Sequence, residues 1–568
     1  MMLQYELASL IEHAAQAAQQ SGDLPQWELP PIAVTRPKAV DKGDFSCALA
    51  LQSARPINEA LATHGGGKLT PVQIGERLAA HLPLNPFLDR VEVAAPGFLN
   101  LYLAPDWLAQ QAGIIAEQGA TYFTVDLGKG GRVQVEFVSA NPTGPLHFGG
   151  ARNAAIGDTL ARLLEASGYE VQREYYINDR GTQMATFGAT LWRRYQQLHG
   201  VAVDIPADGY PGAYMFDYAR AIQTDHGDSL LALGDAEAIP RFGDLGLAIV
   251  TTQLADDLAL MRVYFDNWFS EQSLYDDGTF DRVADVLQER GDLYEKDGAT
   301  WFSASKYLVK SDRDEVFVRS NGEPGYYASD IAYHYNKFIL RGFEWVIDVW
   351  AVDHENQAAR MPAMLKALGI DPARLTVVLY DLVTLRRGGI EVKISKRSGE
   401  MITMADVLEE VGPDAARYLL LSHSNEARID FDLDLAVAQN SENPVYYVQY
   451  AHARVASILR KAAEQGANPQ GADLNLLAHP AEQALLRKML QLPEVVEEAV
   501  KHLAPHHLPH FALDLAKSFT AFYGACRVLS DDPADAGLTR ARLTLVAATK
   551  ATLAYVLDLM GMSAPEVM

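Results

Sequence analysis

The stretch RVQVEFVSANPTGPLHFGGARNAAIGDTLARLLEASGYEVQREYYI, residues 132–177, decides the fold. Val133, Val135 and Phe137 alternate with Gln134 and Glu136, the two-residue period of a strand. Residues 139–150 are rich in turn formers. Ile156, Leu160, Leu163 and Leu164 then recur at helical spacing as far as Gly168, and a second apolar run opens at Tyr169. The order is strand, loop, helix, strand.

Outward from this unit, strand-like runs occur at residues 345–352 and 375–382, and their nearly continuous apolar character suits a parallel sheet covered by helices on both faces. Residues 182–297 read as a largely helical, polar insertion. Upstream, VEVAAPGFLNLYL at 91–103 alternates as strand, turn, strand within a small α+β unit. The triplet Gly65, Gly66, Gly67 before Lys68 lacks the full spacing of a phosphate loop and reads as a flexible loop. After Gly412 the chain turns helical. Leu515, Phe519, Phe522, Tyr523 and Cys526 form one stripe and Val546, Leu553, Val556, Leu557 and Met560 another, which predicts a helix bundle.

A chain of 568 residues, 49% hydrophobic, exceeds what one core of about 250–300 residues holds, so three or four domains are expected. There is no apolar run of about 18 residues and no basic, apolar leader, so a cytoplasmic protein with no membrane contact is expected. Cys47 and Cys526 match no metal or disulfide spacing and read as core residues. A net charge of −25 repels nucleic acid and by itself favours a small-molecule enzyme; any RNA surface must be a local basic patch.

The segment NPTGPLHFGG, residues 141–150, lies between a strand and a helix. Two glycines at a helix start let backbone N–H groups approach a phosphate, and His147 adds a donor. Alone, such a match reads as a structural turn. Some 240 residues on, Lys393-Ile394-Ser395-Lys396-Arg397 stands among Gly388, Gly389 and Gly399. Two lysines there suit the charge that develops on departing pyrophosphate, although alone the run reads as a solvated basic turn.

In this order the two segments resemble the HIGH and KMSKS signatures of class I aminoacyl-tRNA synthetases. Residues 135–183 are similar to the signature block of the arginyl-tRNA synthetases, and GYYASDIAYH at 325–334 resembles their second block. Gly43-Asp44-Phe45 and residues 95–100 resemble their appended tRNA-binding domain; residues 431–454 and 563–566 resemble the two ends of their anticodon-binding helices. The insertion carries no motif of the family.

The resemblance implies a class I Rossmann-like catalytic domain with a parallel sheet, an N-terminal α+β domain and a C-terminal α-helical bundle. The expected boundaries are 1–115 for the appended domain, 125–370 for the catalytic domain, 371–435 for the lysine-loop connection and 436–568 for the anticodon-binding domain. It implies that arginine is activated by ATP and passed to the 2′-hydroxyl of the terminal adenosine of tRNA(Arg). Magnesium would accompany ATP, with no protein-bound metal, and a monomer is expected. His147, Gly149, Gly150, Lys393, Ser395 and Lys396 would be catalytic, and all but Ser395, with Asp353 and His354, would bind ATP.

Glu136, Asn141, Tyr326 and Asp330 would form the arginine pocket. A guanidinium is a planar fork of donors best read by a buried carboxylate, which Asp330 supplies with Tyr326 beside it, while Glu136 and Asn141 suit the α-ammonium group. Each residue has a plainer reading: Glu136 as a solvent-facing strand residue, Tyr326 as a core aromatic, Asp330 as a helix N-cap, and Asp353-His354 as a cap after a strand. Tyr446, Tyr447, Tyr450 and Arg454, with Arg460 and Lys461, suit stacking and phosphate contact with an unpaired anticodon loop.

The chain departs from the family's pattern at Gly150, where His or Asn is usual, which removes a donor towards ATP; Phe148 holds the second signature position. Two rival readings stand beside this one: a class I ligase or nucleotidyl transferase for another small substrate, which the acidic charge suits, and an impaired or non-catalytic tRNA-binding relative, which Gly150 motivates.

Overall fold

The apolar alternation around residue 132 and the runs at 345 and 375 meet in one sheet. A computed structural model describes residues 2–308, 313–392 and 402–568. The N-terminal unit is a four-stranded antiparallel sheet of β1 (Val34–Thr35), β2 (Phe45–Cys47), β3 (Leu88–Ala94) and β4 (Phe98–Leu103), in the order β1-β2-β4-β3. The helices Leu3–Gln20, Leu49–Thr63 and Pro71–Ala80 belong to the same unit. Residues 64–70, which include the glycine triplet, connect two of these helices.

The central sheet contains β5 (Arg132–Glu136), β6 (Glu170–Ile177) and β7 (Asn267–Ser270). A small antiparallel sheet of β8 (Leu293–Lys296), β9 (Ala299–Phe302) and β10 (Glu315–Val318) intervenes, before β11 (Trp345–Ala351) and β12 (Leu375–Tyr380) complete the central one. Its order is β12-β11-β5-β6-β7, with every pair parallel. The chain therefore reverses direction across the sheet between β5 and β11. In open α/β sheets that crevice, beyond the carboxyl ends of the strands, is where ligands bind.

The sheet corrects two expected boundaries. β7 falls inside the stretch read as a helical insertion, because its four residues are too few to show a period; the helices Gly181–Leu198, Tyr214–His226 and Asp235–Leu260 precede it. β12 lies beyond residue 370 yet pairs along its whole length with β11, so the catalytic sheet runs past the boundary set there. A third small sheet, β13 (Val383–Arg387), β14 (Ile390–Glu391) and β15 (Ile429–Asp432), puts a strand into the region read as helical after Gly412.

Both faces of the central sheet are covered. Val133, Val135 and Ile347 join the larger apolar core; Val346 on the opposite face packs with Ile331, Phe338 and Met364. Beyond β15 the chain forms the helices Pro444–Glu464, Pro480–Met489, Leu492–Lys501, His507–Ala525 and Ala536–Leu559. The buried guanidinium of Arg417 ties these parts together: it donates to Met261 O at 2.8 Å, to Met560 O, and to Asp158 of the helix Gly149–Ala166. Among the described residues no helix is long and apolar enough to cross a membrane.

Candidate active site

At the carboxyl end of β5 the backbone is strained. Val138 and Ser139 both adopt positive φ, 65° and 42°, and for a β-branched residue that conformation is costly. Asn153, on the helix Gly149–Ala166, holds it in place: its side-chain oxygen accepts from Val138 N at 2.7 Å, and its amide donates to Val349 O of β11 at 2.9 Å. Ser139 Oγ in turn accepts from Tyr176 N at 3.1 Å. The loop is thus fastened to strands on both sides of the reversal point.

The loop and the helix Tyr326–Tyr335 line a cavity of about 1090 Å³ that also takes in Asn141, Tyr176, Asn178, Glu271, His354 and Gln357. Tyr326, at the helix start, is 83% exposed with Arg319 over its ring at 5.1 Å, which rules out the core-aromatic reading. Asp330 sits a turn further on. It is not the N-cap, a position held by Gly325. It accepts from Gln357 Nε2 at 2.6 Å and pairs with no lysine or arginine among the described residues. Burial pushes its pKa up to about 6, with His334 and the Gln357 bond opposing. Glu271, a carboxylate on the same cavity and buried where Asp330 is half-buried, is also raised, chiefly by burial. Asp314, Arg319 and the Glu315–Arg360 pair line the cavity too; among the described residues Asp330 and Glu271 form no ion pair with a lysine or arginine, and a planar guanidinium can engage both.

Glu136 is not solvent-facing but buried, and it is absent from the lining of this cavity. Strand register explains its surroundings: Asp348 of β11, Glu136 of β5 and Glu174 of β6 stand side by side across three strands. Three adjacent carboxylates inside a core require cations. Lys337 lies 2.6 Å from Glu136 and 2.8 Å from Asp348; Arg341 donates to Glu174 at 2.8 Å; His334 Nε2 lies 3.0 Å from Asp348. Burial disfavours the charge on Lys337, but Asp348 and Glu136 outweigh it and hold its pKa above the ordinary lysine value. Asp330, His334 and Lys337 share one face, and the helix widens into a π turn at Asn336–Leu340 where Lys337 must reach two strands. Glu136 therefore holds the floor under the strained loop, where a direct ammonium contact was expected.

A second cavity, of about 430 Å³, lies between the start of the helix Gly149–Ala166 and β12–β13, lined by His147, Gly149, Gly150, Tyr380, Val383, Val392 and Arg428 among others. His147 Nδ1 accepts from Gly149 N at 2.9 Å, and His147 O accepts from Gly150 N at 2.8 Å. These N–H groups are engaged within the turn, contrary to the expectation that both face a phosphate: the turn folds back to cap itself. What the glycines supply is a wall without side chains. Leu146 O accepts from Met404 N at 2.7 Å and His147 bridges to Thr403, so the chain after the signature lysines returns beside the first signature. Lys393, Ser395 and Lys396 lie outside the described residues.

Asp353 is exposed and absent from the lining of either cavity, whereas His354 reaches the first one through Gln357 Oε1 at 3.2 Å. In the C-terminal helices Tyr446 stacks on Tyr450 with centroids 5.9 Å apart, and Arg454 lies over Tyr450 and Tyr523 at 5.5 and 5.1 Å. Tyr447 instead bonds to Thr520 at 3.0 Å and packs against the core. Sequence reading missed Glu271, Gln357, Lys337 and Asn153. Lone polar residues inside helices or after a short strand carry no pattern.

Comparison with known proteins settles the family. Residues 114–441 match the tRNA synthetases class I (R) catalytic domain, 5–103 the arginyl tRNA synthetase N terminal domain, and 448–568 the DALR anticodon binding domain. The chain belongs to the arginyl-tRNA synthetase family. It is 44% identical to the arginine–tRNA ligase of Dehalococcoides mccartyi over 558 residues, 98% of each chain. It is equally similar, 44% over 565 residues, to that of Caldanaerobacter subterraneus, covering 99% of this chain and 98% of the relative. The arginyl-tRNA synthetase structure of Thermus thermophilus superposes over 100% of both chains with a TM-score of 0.76 at 26% identity.

Proposed function

We propose that this protein joins arginine to tRNA(Arg) in two steps. In the first, the arginine carboxylate attacks the α-phosphate of ATP, giving arginyl-adenylate and pyrophosphate. In the second, the 2′-hydroxyl of the tRNA's terminal adenosine attacks the activated carbonyl and AMP leaves. Neither step needs a protein nucleophile, so rate enhancement comes from positioning and electrostatics.

The observation that carries this reading is the pair of carboxylates, half-buried Asp330 and buried Glu271, facing one cavity with no lysine or arginine paired to Asp330 among the described residues. They would take the guanidinium, with Tyr326 closing over it and Asn141 and Ser139 near the α-ammonium. The cavity beside His147, Gly149 and Gly150 would take ATP. Lys393, Ser395 and Lys396, by resemblance, would meet the triphosphate, and His354 would stand between the two substrates. Tyr446, Tyr450 and Arg454 would meet the anticodon loop. Magnesium would arrive bound to the ATP phosphates, whose charge it offsets. A cytoplasmic monomer suits this activity.

ATP–pyrophosphate exchange with each of the twenty amino acids, with and without tRNA, tests the reading. Exchange with arginine alone among them is expected. Exchange with another amino acid, or none under any condition, sinks it.

A further inference from the structure

The second cavity presents one arginine and no lysine among the described residues that line it. Arg428 immediately precedes β15, which runs parallel to β13 with Val383 opposite Ile429. Its guanidinium donates to Thr384 Oγ1 at 3.3 Å, and Thr384 is buried. The neighbouring arginines of β13 are neutralised: Arg386 pairs with Asp430 at 3.0 Å and Arg387 with Glu410 at 2.5 Å. Arg428 has no carboxylate partner among the described residues, although it faces a cavity in an acidic protein of net charge −25.

On the opposite wall His147 is the one polar side chain beside the two glycines. A side chain added at Gly149 would run towards the His147 ring at 3.1 Å, and one added at Gly150 towards Leu146 at 3.1 Å. Both positions therefore leave only backbone at the wall. Tyr380, Leu382, Val383, Leu385 and Val392 give most of the remainder an apolar character, with Thr384 and the carboxylate of Glu391 as its other polar groups. Such walls suit a flat heteroaromatic base better than a hydrated triphosphate, and a guanidinium suits the same base twice over, stacking on its face and donating to ring nitrogens.

We infer that Arg428 binds the adenosine end of ATP, supplying from just ahead of β15 the side-chain contact that the signature helix does not make at Gly150. The inference rests on the proposed assignment of this cavity to ATP.

Arginine-dependent exchange in the presence of tRNA is measured for the unaltered protein, Arg428→Ala and Arg428→Lys, with melting temperatures alongside. Arg428→Ala is expected to raise the KM for ATP about tenfold while kcat stays within about twofold, because a contact made equally in ground and transition states acts on KM alone. The KM for pyrophosphate in the reverse reaction and the KM for arginine should not move. Arg428→Lys, which keeps charge and loses the plane, should recover less than half of the loss. An unchanged ATP KM overturns the inference, and an equal rise in the pyrophosphate KM overturns it in favour of a phosphate contact. A matching drop in melting temperature in both variants, with ATP KM restored at low temperature, reduces Arg428 to a structural residue. Absence of exchange in the unaltered protein defeats the parent reading instead.

Discussion

Asp330 accepts a 2.6 Å hydrogen bond from the side-chain amide of Gln357, a neutral donor, and among the described residues it forms no salt bridge with a lysine or arginine. Asp330→Asn should raise the arginine KM by about a hundredfold or more, since losing one partner of a desolvated charged hydrogen bond costs about 2–5 kcal/mol. The melting temperature at neutral pH should hold or rise, because an ionised carboxylate without a cation is a burden on the fold. A small change in arginine kinetics would show that the guanidinium lies elsewhere.

The same carboxyl group sets a pH dependence. Its pKa of about 6 in the free protein is raised by burial, and a bound guanidinium would lower it by favouring the charged form. Below about pH 6, arginine must therefore displace a proton on binding. Its affinity should fall towards tenfold per pH unit between about pH 6 and pH 4, and level off above pH 7. The unliganded fold responds in the opposite sense: raised above the unfolded value, this pKa makes protonated Asp330 stabilising as pH falls through 6. Titration calorimetry with arginine in buffers of different ionisation enthalpy would register the proton.

Lys337→Met tests the row of carboxylates. Glu136 and Asp348 would be left buried without their cation, at a cost of about 3–5 kcal/mol. Urea unfolding at pH 7.5 should show that loss, and Lys337→Arg should not repair it, because the space between two strands fits an ammonium. If stability changes by less than about 1 kcal/mol, the network is not what holds this face together.

Gly157 lies against Phe137, where a Cβ would sit 2.2 Å from the ring. Gly157→Ala gains about 0.5–1 kcal/mol of helix propensity and loses about 1–3 kcal/mol to overpacking. A net loss is expected, accompanied by a higher KM for ATP as the signature helix is pushed off β5. A variant of unchanged or greater stability would contradict this packing.

The ladder of half-buried Tyr446 with exposed Tyr450 and Arg454 differs from Tyr447, which bonds to Thr520. Tyr450→Ala should weaken tRNA binding by about 1–3 kcal/mol, the typical loss of one base stack. Tyr447→Phe should leave tRNA binding unchanged. Filter binding of tRNA transcripts, with the anticodon bases varied, distinguishes the two; a reversed ranking would move the anticodon contact to another face.

The sequence by itself determined the strand–loop–helix–strand unit, the parallel sheet and the helical C-terminal part, because alternation in β5 and the i, i+4 stripe of Ile156, Leu160 and Leu164 are local periods written into adjacent residues. It also marked the first signature loop and Asp330, whose neighbours carry a family pattern. Only the tertiary structure decided that β7 and β12 complete the sheet, since four residues show no period and pairing is a property of distant partners. It alone aligned Glu136 with Asp348 and Glu174, so that a position read as solvent-facing or ligand-facing is a neutralised buried charge. Glu271, Gln357 and Arg428 belong to the same class. Each is a single polar residue whose meaning comes from what stands across a cavity, and sequence separation carries no information about that distance.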